Sequence, residues 1–400
     1  MTFLPDPFPK PDWKRHIKQS VIVILLVILL SQPYLAHAQR SSGTKLYLPV
    51  VLNRWGDFTT TRKFLGIYMP VYWTTDNVRP NMSRADALAG KKHSVSGWFI
   101  SLHDIAFTNR QTDNRTNNFF RQLEALWQGG YVSFVNIMAA TQVSNNEVND
   151  NCPFSPTAYQ IAKGDCDKAI QRMAELYKQW IGQGGGRVAF IAPLPEMNGV
   201  RSDGTLWTSY GGDAANFKLA YQRFQSIFKQ QGVKDDQIWW VFAPNGWSVS
   251  GHEFENYYPR ESIVDAIGFS SYNFGYCWIA DPWQRWENYT TLYEPYIARI
   301  YAMAPNKPII IAQTGTTAEK SYPGENNTQA KNEWLETNYQ WLATQPQVLG
   351  VMYYDYDQSA WECNWRVLQD DTTYKPGYQA GASATAFQTL TAQDLRSIIP

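Results

Sequence analysis

Short apolar runs alternate with longer amphipathic segments between residues 64 and 354. Most of these runs are apolar throughout rather than at every second position, as expected for strands of a parallel sheet that are buried on both faces. The segments between them repeat apolar residues with a helical period, as at Phe217, Tyr221 and Phe224. Eight strands are predicted, at residues 64–71, 96–101, 131–137, 188–192, 238–242, 266–270, 308–312 and 350–354.

This alternation predicts the fold class. A strand followed by a helix is the repeating unit of a parallel sheet, and eight such units favour a closed barrel. The first strand is not followed by GxGxxG, the glycine pattern that a doubly wound, dinucleotide-binding sheet carries there. The sequence therefore predicts an α/β protein with one single-domain (β/α)8 TIM barrel at residues 61–390.

Residues 1–38 predict an export signal peptide. A basic segment precedes an apolar core at residues 21–30, and Ala-His-Ala at residues 36–38 is the small-residue pattern of a cleavage site. The alternative is an uncleaved anchor, but about ten apolar residues are too few to span a bilayer. Residues 39–60 are mostly polar and are interpreted as a tether. We therefore expect a secreted protein without a stable membrane span after cleavage.

Export makes disulfides the expected state of the four cysteines. Three pairings are formally possible. We favour Cys152 with Cys166, which closes a short loop, and Cys277 with Cys363, which joins loops at neighbouring strand ends. A metal site is the competing interpretation, but no CxxC spacing occurs and no histidine lies nearby. We expect neither a metal nor a cofactor.

Charge and composition narrow the class of ligand. The chain has 35 basic and 35 acidic residues, so it lacks the positive charge that nucleic-acid binding requires. Aromatic residues make up 15% of the chain, with 17 tryptophans and 24 tyrosines. Flat aromatic faces serve in a core and also as platforms for sugar rings. We expect a monomer that binds no nucleic acid and that has some aromatic faces available for sugar rings.

Polar and aromatic side chains follow most of the predicted strands. In a (β/α)8 barrel the C-terminal strand ends form the active site. Tryptophans in the connecting segments are more easily explained as stacking surfaces for sugars than as core. The candidate site residues are His103 and Asp104 after strand two, Glu196 and Asn198 after strand four, Asn245 and Trp247 after strand five, Tyr272 and Trp278 after strand six, Gln313 on strand seven, and Asp355 and Trp361 after strand eight.

Three of these strand ends carry longer motifs. Strand four ends in Pro-Glu-Met-Asn-Gly at residues 195–199, a motif at residues 265–272 includes strand six, and the motif of strand seven reads Lys-Pro-Ile-Ile-Ile-Ala-Gln-Thr-Gly. Together they resemble glycoside hydrolase family 26, the endo-β-mannanase family, over about residues 60–380. The resemblance implies a retaining β-glycanase for a mannan-like polysaccharide. It also implies that Glu196 is the general acid/base and that Tyr272 positions the nucleophile.

Two positions depart from the family pattern. Gln313 stands where the family has its nucleophilic glutamate, and Pro195 replaces the histidine before the acid/base. A retaining mechanism requires two carboxyl groups about 5 Å apart, and an amide does not form the glycosyl ester. Three interpretations remain open: a relative that binds polysaccharide without cleaving it, an inverting hydrolase, and a hydrolase with a relocated nucleophile. In the second, Asp355 or Asp104 activates water at about 6.5 to 9.5 Å from Glu196; in the third, Asp355 is the nucleophile.

The same residues also have structural interpretations. Asp104 and Asp355 can serve as helix N-caps or loop anchors after a strand. Glu196 can pair with Arg201, and Tyr272 can pack in the core. The sequence alone does not separate these roles from the catalytic ones, because both place a polar side chain at a strand end.

Overall fold

A computed structural model of the chain describes residues 56–69, 75–102, 114–139, 152–153, 155–201, 203–277, 285–321, 324–359, 363–368 and 373–400. The predicted signal peptide and most of the predicted tether lie outside the described residues. Within these ranges the chain forms eight β-strands and eleven α-helices.

The strands form one closed barrel. Each strand pairs in parallel with the next one along the chain, and β8 pairs with β1. The predicted (β/α)8 barrel is therefore confirmed. The strands are β1 (Phe64–Tyr68), β2 (Val95–Ser101), β3 (Val132–Met138), β4 (Phe190–Pro193), β5 (Trp239–Phe242), β6 (Ala266–Asn273), β7 (Ile309–Thr316) and β8 (Val348–Tyr354).

Strands β6 and β7 are longer than predicted. The prediction ended them where apolar residues give way to polar ones, whereas the structure continues β6 to Asn273 and β7 to Thr316. A hydrogen bond between side chains supports this polar extension, since the Asn273 amide donates to the Thr316 hydroxyl at 2.8 Å. The extension brings Tyr272 and Gln313 onto adjacent strand ends.

The helices surround the barrel. In α5 the predicted apolar stripe is buried, with Phe217, Tyr221 and Phe224 among its members. This helix begins after Asp213, whose side chain accepts a hydrogen bond from the Asn216 backbone N–H, as an N-cap does. The helices are α1 (Thr75–Ala89), α2 (Asn114–Gln128), α3 (Ala158–Lys163), α4 (Asp167–Ile181), α5 (Ala214–Gln230), α6 (Phe254–Tyr257), α7 (Tyr289–Leu292), α8 (Glu294–Met303), α9 (Thr328–Thr344), α10 (Lys375–Ala382) and α11 (Ala392–Ile398).

Large aromatic side chains fill the interior of the barrel, and glycines on neighbouring strands leave room for them. A Cβ atom at Gly97 would lie 2.3 Å from the Tyr68 ring. A Cβ atom at Gly350 would lie 2.4 Å from the Phe64 ring. Because the interior is packed, as in other barrels of this class, a cavity for a ligand has to lie at a barrel end. The aromatic members of this buried cluster include Phe64, Tyr68, Phe134, Phe190 and Trp239.

Both predicted disulfides are present, so the predicted pairing is confirmed. The Cys152–Cys166 bond ties the segment before α3 to the residue that precedes α4. The Cys277–Cys363 bond ties the loop after β6 to the loop after β8. The sequence predicted that these two loops follow neighbouring strands. That part of the prediction is wrong, because β7 lies between β6 and β8. Among the described helices, none is long and apolar enough to cross a membrane.

Candidate active site

A cleft of about 690 Å³ lies at the C-terminal ends of the strands. It combines carboxyl, amide, cationic and aromatic groups, as ligand sites with a few convergent polar groups do. Five of the predicted site residues line it, namely Glu196, Asn245, Trp247, Tyr272 and Gln313. The residues that line it and were not predicted include Arg201, Asp203, Trp207, Arg285, Glu287, Tyr354 and Trp365.

The backbone around Glu196 departs from extended geometry. Leu194 and Glu196 have φ angles of 54° and 58°, in the left-handed region that residues other than glycine rarely adopt. The Glu196 N–H donates to the Ala243 carbonyl at 2.8 Å, which joins this turn to the end of β5. The Glu196 carbonyl accepts from the Gly199 N–H at 2.9 Å. These bonds fix the residue at the cleft, even though its conformation is unfavourable by itself.

The environment of Glu196 favours the protonated carboxyl group. Burial raises its pKa above the usual 4.5, and the nearby Ser270 hydroxyl partly offsets this. A raised pKa is the direction of change that a general acid requires. The cleft therefore contains a carboxyl group whose protonated form is favoured by its surroundings.

Gln313 is held by Tyr272. The Tyr272 hydroxyl donates to the Gln313 side-chain oxygen at 3.0 Å, and Gln313 is buried, with 4% of its surface exposed. The pairing between β6 and β7 sets Ser270 opposite Gln313, and the Ser270 and Gln313 side chains both line the cleft. The end of β7 therefore offers an amide, not a carboxylate, to a ligand.

Aromatic rings support Tyr272 from one side. Its ring lies 5.0 Å from that of Trp365 and 5.9 Å from that of Tyr354, measured between centroids. Phe274 lies 5.2 Å from Trp365. Aromatic rings at these separations attract each other beyond their burial, so these residues form one wall of the cleft.

The two predicted asparagines have different places. Asn198 is completely buried, and its amide donates to the Asn245 carbonyl at 2.9 Å while its oxygen accepts from the Asn245 N–H at 2.8 Å. Its amide is thus engaged with the backbone beneath the cleft, which favours a structural role over the predicted contact with sugar. The Asn245 side-chain oxygen accepts from the Trp247 N–H at 2.9 Å, so Asn245 orients the segment that carries Trp247 into the cleft.

Asp355 is not among the residues that line the cleft in the described part of the chain. It is completely buried, and its Oδ1 accepts from the Val367 and Leu368 N–H groups at 2.5 and 3.1 Å. Burial raises its pKa to about 6, and the two N–H groups and Lys331 act against this rise. The prediction of Asp355 as a water-activating base or nucleophile is not supported, because its carboxylate faces the backbone of the following loop.

Four of the predicted site residues lie outside the described residues, namely His103, Asp104, Trp278 and Trp361.

Glu287 is a carboxylate that was not among the site residues predicted from the sequence. It lies between β6 and α7, where the sequence shows no motif, and it lines the cleft. The Arg285 Nε donates to its side chain at 2.8 Å. Its backbone N–H donates to the Asn273 side chain at 2.8 Å, and its carbonyl accepts from the Trp334 indole at 2.6 Å. Burial raises its pKa, while Arg285 lowers it.

Arg201, Asp203 and Trp207 reach the cleft from a short hairpin after β4. Val200 and Leu206 form its antiparallel bridge, and Arg201 donates from its side chain to the Leu206 carbonyl at 2.9 Å. The Arg201–Glu196 pair that the sequence allowed is therefore not among the ion pairs of the described residues.

Comparison with known proteins shows similarity in fold. No family model matches the chain, and no curated protein matches it either. Among solved structures, the chain is similar to a β-mannanase from a symbiotic protist of the termite Reticulitermes speratus, complexed with gluco-manno-oligosaccharide. That match has a TM-score of 0.52 at 14% identity and covers 86% of this chain and 91% of the other.

Two bacterial enzymes of glycoside hydrolase family 26 are also similar. A β-mannanase from Bacteroides ovatus has a TM-score of 0.54 at 11% identity, with 85% of this chain and 93% of the other covered. The catalytic domain of an endo-β-1,4-mannanase from Bacillus sp. JAMB-750 has a TM-score of 0.56 at 14% identity, with coverages of 84% and 89%. At these identities the similarity is one of fold.

Proposed function

We propose that the protein is a secreted glycanase of the family 26 type, which acts on a β-linked, mannan-like polysaccharide with Glu196 as the proton donor. The observation that carries this proposal is the position of Glu196 in the cleft, where burial raises its pKa. The mannanase fold of the structural neighbours and the motif around Glu196 support the substrate class. The signal-like N-terminus and the two disulfides support export.

The amide at Gln313 makes inversion the better supported catalytic route. In this route Glu196 gives its proton to the glycosidic oxygen while a carboxylate removes a proton from the attacking water, so one displacement inverts the anomeric centre. Of the other carboxylates that line the cleft, Glu287 is paired with Arg285, which favours the ionised form that a base requires, whereas the Asp203 carboxylate is engaged by hydrogen bonds from Thr205. Glu287 is therefore our candidate for the base.

Binding without cleavage is the second candidate function. It is favoured by the hydrogen bond between Tyr272 and Gln313, because this pair offers a neutral, pre-oriented amide where the family has its nucleophile. Such an amide binds sugar hydroxyls but forms no covalent intermediate. On this interpretation Glu196 and the aromatic wall serve recognition alone.

Release of reducing ends from mannans, xylans and mixed-linkage glucans separates the two functions. The proteins to compare are wild type, Glu196→Ala, Glu287→Gln and Gln313→Glu, with Glu175→Gln as a control in an exposed helical position. If wild type cleaves and both Glu196→Ala and Glu287→Gln are inactive, the inverting route is supported, and the anomer of the first product, read by NMR, is inverted. If only Gln313→Glu cleaves, the natural chain binds without cleaving.

A further inference from the structure

The segment at residues 363–368 follows β8 and forms part of the cleft wall; we call it the β8 segment. Three kinds of bond fix it. Cys363 is bonded to Cys277. The Lys331 ammonium donates to the Asn364 and Arg366 carbonyls at 3.2 and 3.1 Å. The Asp355 carboxylate accepts from the next two N–H groups, those of Val367 and Leu368. The backbone is thus held by a buried anion and a buried cation.

The β8 segment carries Trp365 into the cleft. The Trp365 N–H donates to the Tyr356 carbonyl at 2.9 Å, and its carbonyl accepts from the Tyr353 hydroxyl at 2.8 Å. Its ring lies 5.0 Å from that of Tyr272, and Tyr272 in turn donates to Gln313. A path of direct contacts therefore leads from the backbone that Asp355 holds to the group at the end of β7.

The buried positions of Asp355 and Lys331 do not by themselves require charged side chains. Hydrogen bonds to a charged partner are stronger and more directional than those between neutral groups, but taking two charges out of water is costly, and an apolar pair of similar volume is often at least as stable. Asp355 and Lys331 have 0% and 1% of their surface exposed. What the charges add over an apolar pair is a fixed position for four backbone groups in a segment without regular secondary structure.

We propose that Asp355 is a positioning residue, which with Lys331 fixes the β8 segment so that Trp365 holds Tyr272 and Gln313 in the geometry that binds sugar. The effect on sugar rests on the proposed function, because it assumes that the cleft binds carbohydrate. The effect on Tyr272 does not, since it is a property of the protein alone.

Hydrogen–deuterium exchange tests the part that needs no ligand. In Asp355→Ala we expect exchange to be about tenfold faster in the β8 segment and also in the end of β6 that contains Tyr272, because local opening spreads through a cooperative unit. Asp355→Asn should give a smaller change, since its side-chain oxygen still accepts the two N–H groups. Faster exchange confined to the β8 segment would overturn the proposal. If Asp355→Ala does not fold, Asp355→Asn and Lys331→Met provide the same comparison.

Calorimetry with mannohexaose, xylohexaose and cellohexaose tests the effect on binding. For the oligosaccharide that wild type binds best, we expect about a tenfold loss of affinity in Asp355→Ala, or 1.4 kcal/mol, and partial recovery in Asp355→Asn. The matched control is Asp357→Asn, which removes a half-exposed ion pair to Arg366 of the same segment and should change little. Unchanged affinity in folded Asp355→Ala would refute the positioning role. If wild type binds none of the three, the proposed function fails, and the exchange result still decides the effect on Tyr272.

Discussion

Glu196 and Asp355 are two carboxylates in similar places with different surroundings. Each follows a strand of the same barrel, and burial raises the pKa of each. Glu196 faces the cleft, while the Asp355 carboxylate accepts two backbone N–H groups. A raised pKa at a strand end thus does not by itself identify a catalytic group; what the side chain contacts decides between chemistry and positioning. The predictions below test this contrast.

The largest expected effect is that of Glu196→Gln on cleavage. Loss of a general acid typically lowers a rate by about 10² to 10⁴, and the isosteric amide keeps the shape of the cleft. Initial rates on the best polysaccharide substrate measure this, and urea unfolding should show no loss of stability. A loss of rate below tenfold would remove Glu196 from the role of proton donor.

Asp355→Ala should act on stability instead. Removing the carboxylate leaves the buried Val367 and Leu368 N–H groups without their acceptor, which costs about 1 to 3 kcal/mol for each group in the free energy of unfolding. Urea unfolding followed by circular dichroism measures the change, with Glu196→Ala as the comparison. Similar stability for wild type and Asp355→Ala would contradict the contrast between the two carboxylates.

The pH dependence of stability provides a test without truncation. The pKa of Asp355 is about 6 in the folded chain against 3.8 ordinarily, so the folded state holds this proton more tightly. Its stabilising contribution is therefore full below pH 3.8 and is lost as the pH rises through 6, by up to about 3 kcal/mol. The charged and titratable groups around it are Lys331, Arg366, Tyr353 and Tyr378.

Asp355→Asn should remove this contribution from the pH profile of unfolding, while Asp357→Asn should keep it. The difference between the wild-type and Asp355→Asn profiles is the quantity to measure, because other carboxyl groups titrate in the same range. Parallel profiles for the two proteins would mean that Asp355 does not titrate as described.

Trp247→Ala should have the smallest effect of the four. Trp247 lines the cleft and is half-buried, so we expect about a tenfold loss of oligosaccharide affinity with little change in the free energy of unfolding. Calorimetry and urea unfolding on the same preparation measure both. A large loss of stability would place Trp247 with the anchoring residues and not with the ligand-facing ones.

The barrel could be predicted because each strand carries its own local signal. Continuous apolar runs and helical stripes recur along the chain, and both faces of each strand are buried. The disulfide pairing was also predictable, since few alternatives exist for four cysteines. The ends of β6 and β7 were not, because hydrogen bonds between polar side chains extend them beyond the apolar run.

The cleft residues were predictable only in part, and strand geometry explains the difference. Side chains alternate between the two faces of a strand, so Asp355, directly after the cleft-lining Tyr354, faces the other way. The same alternation does not predict the direction of the Gln313 side chain, because the register between β7 and β8 shifts between Ile311 and Thr314. Glu287 and Trp365 lie in irregular segments, where no periodic pattern reports the direction of a side chain.

The left-handed φ angles of Leu194 and Glu196 set stability against function at one turn of the chain. Backbone strain of this kind costs about 1 to 3 kcal/mol at each residue, and the hydrogen bonds of the Glu196 peptide group keep it in place. Selection for stability alone would favour glycine here, since glycine adopts such angles freely. A variant that is stabilised because this turn adopts ordinary backbone angles should therefore hold the Glu196 carboxyl group less accurately in the cleft. Stability would then be gained at the expense of activity, as in other proteins.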